Sequence, residues 1–433
     1  MLAYSTLLTL GLVLSSPWWL LRMATTRRYR EGLRRRLGSV PVALSMAVRG
    51  RRVVWVHAVS VGEVLAASRL VGELEAALGK DVRLVISTTT RTGQALARER
   101  FGEERVFYMP LDFTFAVRAY LRVLKPAALV LMESELWPRM LHECARAGIP
   151  VTVVNARMSD RSFARAKRVQ PVWGRVMRQP TLWLAQSEDD AMRLVMVGVR
   201  GESVRVVGNM KYDIRAPKQS RIAELIREAA AGRPIIVVGS TVEGSPWEEE
   251  MVIEAWKDRV REELGALLVL APRHPERFAA VASLLQPYRY ARASGWEMTS
   301  DDVKVDVRVE VLLLDTIGDL AAVYGVADVA YVGGSLVRRG GHNPLEPAQF
   351  GVPVVMGPSF ENFRDIVAKM QEADAIRIVR DKDDLEASFM ELLTHRGAAK
   401  SMGERGREVF ERQQGATART VKEIVRMMEG AKR

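Results

Sequence analysis

The sequence predicts an α/β protein of two domains, each a parallel sheet covered by helices on both faces, and three observations carry that expectation. The chain has 433 residues, more than one hydrophobic core usually serves. From Val53 onward, short apolar and β-branched runs alternate with amphipathic stretches, the pattern left by βαβ units. That alternation stops once, at the polar, proline-containing stretch Asp213 to Ser220, and then resumes. The expected organisation is therefore an N-terminal segment 1–22, a first domain 23–212 and a second domain 213–433. An apolar share of 48% and a charged share of 27% exclude the disordered and solenoid classes.

Met1 to Leu21 contains no charged side chain and has about the 20-residue length that a membrane-crossing helix needs. Trp18 and Trp19 stand at its end, and Arg22, Arg27, Arg28, Arg30, Arg34, Arg35 and Arg36 follow. A cleaved signal peptide carries its charge first, whereas here the charge comes after the apolar run. A retained signal anchor is expected, with the arginine end and all that follows on the cytoplasmic side; the alternative is an N-terminal helix that is buried or lies at an interface. The net charge of +12 points to an anionic partner. Clustering of the arginines beside the apolar run favours membrane lipids, and without a recognisable binding module no nucleic acid is expected. Cys144, the single cysteine, cannot form an intramolecular disulfide, and the five histidines make no cluster at zinc spacing, so no structural metal is expected.

The strands expected in the first domain are Val53 to Ala58, Val82 to Thr88, Ala127 to Met132, Pro150 to Asn155, Leu182 to Gln186 and one from Val204. Those of the second are Ile235 to Gly239, Ala266 to Leu270, Val309 to Leu314, Val329 to Val332 and Pro353 to Met356. The stretch Gly403 to Met428 reads as a final helix that can pack back on the first domain. In open parallel sheets, ligands collect beyond the carboxyl ends of the strands, so the residues after each strand are the candidates for chemistry.

After the first strand, Gly62 and Glu63 open a helix. Glu63 is placed to take a proton from a bound hydroxyl, or simply to favour the helix dipole. Glu133, Glu135 and Trp137 precede a helix started by Pro138, where capping and chemistry are both open readings. Lys211, in the run that ends the first domain, suits an anion. In the second domain, Arg273 follows a strand and could fork onto a phosphate, or be merely solvated. Gly333, Gly334, Gly340 and Gly341 lead into a helix with Asn343 as N-cap candidate and Pro344 at its first position. Such an N-terminus offers amides and a positive dipole end to a phosphate. Glu346 either closes a capping box or accepts hydrogen bonds from a ribose. No GxxxxGK[ST] loop is present, which argues against a P-loop nucleotidase.

Taken in order, HAVSVGEV from His57, TTTRTG from Thr88, ESELWP from Glu133, NARMSDRS from Asn155, GNMKYD from Gly208, PRHPERF from Pro272, GHNPLEPA from Gly341 and GVPVVMGP from Gly351 resemble the 3-deoxy-D-manno-octulosonic acid (Kdo) transferases of lipopolysaccharide synthesis. The resemblance extends from the apolar run and its YREGLRRRLG sequel to about Phe363. It implies a GT-B fold, two Rossmann-like domains with the active site in the cleft between them, at the cytoplasmic face of the bacterial inner membrane. It further implies that Glu63 is the general base and that Glu133 and Lys211 assist the transition state. CMP would be held by Pro272 and Arg273, by the turn Ile317, Gly318 and Asp319, and by Asn343, Pro344, Leu345 and Glu346. Val242 stands where such enzymes often carry histidine, and the segment from Ala291 to Lys304 matches no motif.

The reaction so implied is inverting transfer of Kdo from CMP-Kdo to the lipid A precursor, lipid IVA, without cofactor or metal. The single phosphate of CMP can be stabilised by Arg273 and a helix N-terminus. Arg161, Arg165 and Arg168 share one face of a helix and are expected to meet lipid phosphates or anionic headgroups, the alternative being an ordinary solvated face. The rivals are a GT-B enzyme using a UDP-sugar, or a related epimerase, and a membrane-tethered nucleic-acid-binding protein.

Overall fold

Short runs of Val, Ile and Leu build two separate parallel sheets in the computed structural model, which describes residues 32–133, 135–213, 220–297 and 305–430 together with residues 10, 11, 14, 15 and 18. The first sheet holds β1 (Arg52–His57), β2 (Val82–Thr88), β3 (Val106–Tyr108), β4 (Pro126–Met132), β5 (Val151–Ala156), β6 (Leu182–Ala185) and β7 (Val204–Val206), in the order β3-β2-β1-β4-β5-β6-β7. The second holds β8 (Ile235–Thr241), β9 (Leu267–Pro272), β10 (Tyr290–Arg292), β11 (Val311–Leu313), β12 (Val329–Val332), β13 (Val354–Met356) and β14 (Ile376–Ile378), in the order β10-β11-β9-β8-β12-β13-β14. Strands read as continuous apolar runs because helices cover both faces. In the first sheet, Trp55, Leu129, Val153 and Trp183 point into one core, and Val54, Val56, Val130 and Val154 into the other.

Three strands escape the sequence pattern: β3, β10 and β14. Each is three residues long and lies at a sheet edge, where a strand pairs on one side only and needs no long apolar run. The segment without a motif thus begins as edge strand β10 and the helix Ala293–Glu297, pinned where Asp315 accepts from Arg292 at 2.7 Å and from Ser294 N at 2.8 Å. Its remainder, 298–304, lies outside the described residues.

The chain divides into one unit of Met1–Asp213 with Gly415–Arg433 and a second of Ile214–Gln414. The single helix expected over Gly403 to Met428 is two, Arg396–Gln413 and Ala416–Gly430, because Gly415 takes a left-handed φ of 80° and ends the first. In the first unit, the last helix buries Val421, Ile424 and Met428 against Val64, Leu70 and Leu74 of the helix Val61–Leu78. Each such side chain stabilises by about 1.5–3 kcal/mol relative to exposure. Asp213 holds that helix in place: its carboxylate accepts from Gly415 N at 2.6 Å and from Thr417 N.

The expected anchor 1–22, apart from five residues of it, and the arginines Arg27, Arg28 and Arg30 lie outside the described residues, as do Ser134 and the linker 214–219. Among the described residues, no helix is long and apolar enough to cross a membrane.

Candidate active site

Strand order in the first unit reverses between β1 and β4, and that is where an open parallel sheet forms its ligand crevice. Glu63 follows β1 and Glu133 follows β4, so the reversal brings together two acids that are distant in sequence. Glu63 sits in the first turn of the helix Val61–Leu78, whose N-cap Ser60 accepts from Glu63 N at 3.4 Å. Its carboxylate in turn accepts from Val59 N at 2.9 Å and from Ser60 Oγ at 3.1 Å. The capping role is therefore real, and it fixes the carboxylate in space. Burial outweighs those hydrogen bonds and, with the nearby charges of Glu133 and Glu135, raises the Glu63 pKa above the ordinary carboxylate value. Glu135 is raised for the same reasons, burial first and Glu133 second.

Glu133 adopts a left-handed φ of 54°, rare for a residue with a Cβ, and lies between two cations: Lys211 Nζ at 3.1 Å and Arg157 Nε at 3.6 Å. Asn155, the last residue but one of β5, shares the unusual φ of 54°. Its Oδ1 accepts from Met210 N at 3.1 Å, its own carbonyl accepts from Gln186 Nε2, and Gln186 Oε1 accepts from Asn209 Nδ2, both at 3.0 Å. This network seats the turn Met210–Tyr212, and the turn delivers Lys211 to Glu133. Arg157 and the Asn155, Gln186 and Asn209 network went unrecognised as functional in the sequence, although Asn155 and Arg157 stand directly at a strand end. The helix Pro138–Arg146 beyond Glu133 is capped from elsewhere, since Asp112 accepts from Arg139 N and Met140 N at 2.8 Å each.

In the second unit the reversal lies between β8 and β12. The glycine turn after β12 does not present its amides to a ligand. Fully buried Glu248 takes them: its carboxylate accepts from Gly334 N at 2.7 Å, Ser335 N at 3.0 Å, Leu336 N at 3.1 Å, Val242 N at 3.1 Å and Tyr331 Oη at 2.7 Å. The Val242 side chain is itself buried.

The helix opened by Asn343 is a single turn, Leu345–Ala348, with Asn343 Oδ1 accepting from Leu345 N at 3.1 Å. The capping box is not formed: Glu346 N donates to Asn343 O at 3.4 Å, but no hydrogen bond runs from the Asn343 amide to the Glu346 side chain among the described residues. Burial raises the Glu346 pKa, opposed by the Arg273 charge, and the Glu346 and Arg273 charges both reach the buried Tyr324. His342 lies against Gly334, whose added Cβ would stand 3.0 Å from its ring, and burial with the charges of Arg273 and His274 lowers its pKa to about 4. Arg273 is exposed beyond β9 and forms no ion pair among the described residues, and its amide donates to Thr241 O at 2.9 Å. Pro272 ends β9 in register with Thr241. Ile317 is 82% exposed, Gly318 has a φ of 101°, and Asp319 leads into the helix Leu320–Val323. Leu320 and Tyr324 both approach Gly239 at the end of β8, so this turn belongs to the same end of the sheet. The second unit thus gathers a free guanidinium, a neutral imidazole and a half-buried carboxyl at its strand ends, a set suited to a phosphate beside a polyhydroxyl ring.

Arg161, Arg165 and Arg168 stand exposed on the helix Asp160–Arg168 and form no ion pair among the described residues. No group of three or more acids, histidines or cysteines that could hold a metal occurs among the described residues.

A family model described as 3-deoxy-D-manno-octulosonic-acid transferase (kdotransferase) matches residues 31–214. The 3-deoxy-D-manno-octulosonic acid transferase of Haemophilus influenzae is 33% identical over 398 residues, covering 90% of each chain. That of Bordetella pertussis is 33% identical over 387 residues, covering 85% of this chain and 86% of its own. Among solved structures, a UDP-N-acetylglucosamine 2-epimerase homologue from Listeria monocytogenes superposes with a TM-score of 0.59 at 12% identity, covering 88% of this chain and 97% of that one, a likeness of fold alone.

Proposed function

The chain belongs to the 3-deoxy-D-manno-octulosonic acid (Kdo) transferase family, and from that premise we propose how it moves Kdo from CMP-Kdo to the lipid A precursor in lipopolysaccharide synthesis. It is a glycosyltransferase. Glu63 deprotonates the acceptor hydroxyl, the oxygen attacks the anomeric carbon of Kdo, and the bond from that carbon to the CMP oxygen breaks with its electron pair leaving on CMP. The anomeric centre inverts through an oxocarbenium-like state. A single base suffices, because no covalent intermediate forms.

The observation that carries this reading is the first-unit arrangement: a carboxylate held by Val59 and Ser60 and raised in pKa, with the Lys211–Glu133 pair 3.1 Å apart at the same strand reversal. The pair balances charge as it develops. In the second unit, Arg273 neutralises the departing phosphate, and Pro272, the Ile317–Gly318–Asp319 turn, Asn343, Pro344, Leu345 and Glu346 hold the nucleotide. The transfer needs no divalent metal in this proposal, since one phosphate is matched by one guanidinium. In this proposal the second unit holds the donor and the first supplies the base. Residues 1–22 anchor the enzyme in the bacterial inner membrane with its domains cytoplasmic, and Arg161, Arg165 and Arg168 meet anionic lipid; nucleic acid is not a partner.

The test is transfer from CMP-Kdo, generated in situ, to the tetraacyl lipid A precursor in detergent with EDTA. Product from wild type and a collapse of turnover in Glu63→Ala are expected. No product from folded wild type would return the UDP-sugar reading, which fold similarity at 12% identity does not by itself support.

A further inference from the structure

Four polar groups at the carboxyl end of the first sheet are left over by the chemistry of Glu63, Glu133 and Lys211. The Arg36 guanidinium is half-buried, lies 4.6 Å over the Tyr108 ring, and donates to Thr89 O, yet it forms no ion pair among the described residues. His57, which closes β1, is fully buried, and its Nδ1 lies 2.9 Å from Ser87 Oγ. Trp55 Nε1 donates to that same oxygen at 2.7 Å, and Nδ1 also lies 3.1 Å from the Ser87 carbonyl, which can only accept. The network therefore assigns the ring proton of His57 to Nδ1 and leaves Nε2 as an acceptor. That Nε2 has no partner among the described residues, and neither has Thr89 Oγ1 beyond β2 nor Trp137 Nε1 beyond β4.

These groups are neighbours. The His57 and Trp137 rings meet edge to face with centroids 6.4 Å apart, Arg36 is bonded to the Thr89 carbonyl, and the Arg36 charge helps burial hold the His57 pKa down at about 4. Arg36, Thr89 and Trp137 can donate, His57 Nε2 can accept, and none carries negative charge. Folded proteins leave few buried donors unpaired, and a half-buried guanidinium without a counter-ion is costlier still. A neutral His57 adds an acceptor for the P–OH of a phosphate monoester without adding to that charge.

We propose that Arg36, His57, Thr89 and Trp137 form a subsite for a phosphate monoester and, resting on the transfer reaction above, that it takes a phosphate of the acceptor lipid. The planar fork of arginine, the Thr89 hydroxyl and the Trp137 N–H match phosphate oxygens, and His57 Nε2 accepts from the P–OH of the monoanion. Position supports the assignment, because His57 and Glu63 share one strand-to-helix turn, so the subsite would place the acceptor hydroxyl relative to its base.

The experiment measures acceptor KM with the full chain in detergent, using the bisphosphorylated tetraacyl acceptor and the same lipid with either phosphate removed. In wild type, loss of the recognised phosphate raises KM by about 10- to 100-fold, the scale of hydrogen bonds to a charged group. Arg36→Gln raises KM for the bisphosphorylated lipid by a similar factor, the two losses are not additive, and Trp137→Phe gives a smaller loss in the same direction. An equal loss on all acceptors would mean that Arg36 only supports the fold, and the proposal would fall. So would an equal loss of acceptor selectivity in Glu31→Gln, which would reveal an internal counter-ion from outside the described residues. Flotation with phosphatidylglycerol vesicles separates the sources. Unchanged binding of Arg36→Gln supports the acceptor phosphate, whereas weaker flotation with an unchanged acceptor ratio assigns the site to bulk headgroups and overturns it. No transfer by folded wild type would instead bring down the parent reaction, and this subsite with it.

Discussion

Replacing Glu248 by glutamine asks whether one buried carboxylate organises the donor end of the second unit. Its Oε2 accepts from Val242 N and Gly334 N, and its Oε1 from Tyr331 Oη, Ser335 N and Leu336 N. Glutamine keeps the volume but offers one acceptor oxygen, so its amide must face either the two-donor or the three-donor side. The cheaper orientation still turns an N–H against Val242 N and Gly334 N. At about 1–3 kcal/mol for each buried donor left unpaired, the loop loses about 2–6 kcal/mol, a large part of the roughly 5–15 kcal/mol that holds a typical domain together. Hydrogen exchange followed by mass spectrometry reads this directly: amides of 334–336 should exchange at least about 30-fold faster in the variant. Because the His342 ring rests on Gly334, calorimetric affinity for CMP should fall with it. Exchange within about twofold of wild type would show that the five contacts do not hold the loop, and would refute the reasoning.

Glu63→Gln should lower kcat by about 10²- to 10⁴-fold, and wild-type kcat should rise with pH through a pKa above the ordinary carboxylate range; a profile flat across that range would count against Glu63 as base. Since the folded state binds this proton more tightly than the unfolded, the stability it contributes is complete below the unfolded pKa and lost as pH rises through the raised one, so Glu63→Gln should melt higher than wild type above that window. Lys211→Met leaves Glu133 with Arg157 alone and should cost about 10²- to 10³-fold in kcat, with partial recovery in Lys211→Arg; unaltered turnover would remove Lys211 from the mechanism. Asp213→Ala frees Gly415 N and Thr417 N, should destabilise the last helix by about 1–2 kcal/mol, and should speed limited proteolysis within Ala416–Gly430; unchanged cleavage would show that the cap contributes nothing.

Much of the site was legible because strand ends are local features. Glu63, Glu133 and Arg273 each follow an apolar run that the sequence displays, and each stands at the carboxyl end of a strand. The glycine turn after β12 was legible as a place, but the partner of its amides was not. Glu248, far back in the chain, accepts from Gly334 N and Ser335 N. Glu346 went the other way, since its spacing from Asn343 invites a capping box that the short helix Leu345–Ala348 does not make. Arg157 stands at a strand end within NARMSDRS, but its partner Glu133 is one strand away, so only the fold shows their pairing.

By itself the sequence determined the alternation of strands and helices, the break near Asp213, the residues that end each central strand, and the family. Apolar periodicity, turn residues and ordered motifs are properties of neighbours along the chain. Only the tertiary structure decided that β1 lies beside β4, so that Glu63, Glu133 and Lys211 share one place, that Gly415 splits the terminal helix, and that Arg36, His57, Thr89 and Trp137 keep polar groups unspent. Carboxylate pKa, ion pairing and the satisfaction of buried donors depend on what is near in space and on how much water is excluded there, and strand order alone sets both.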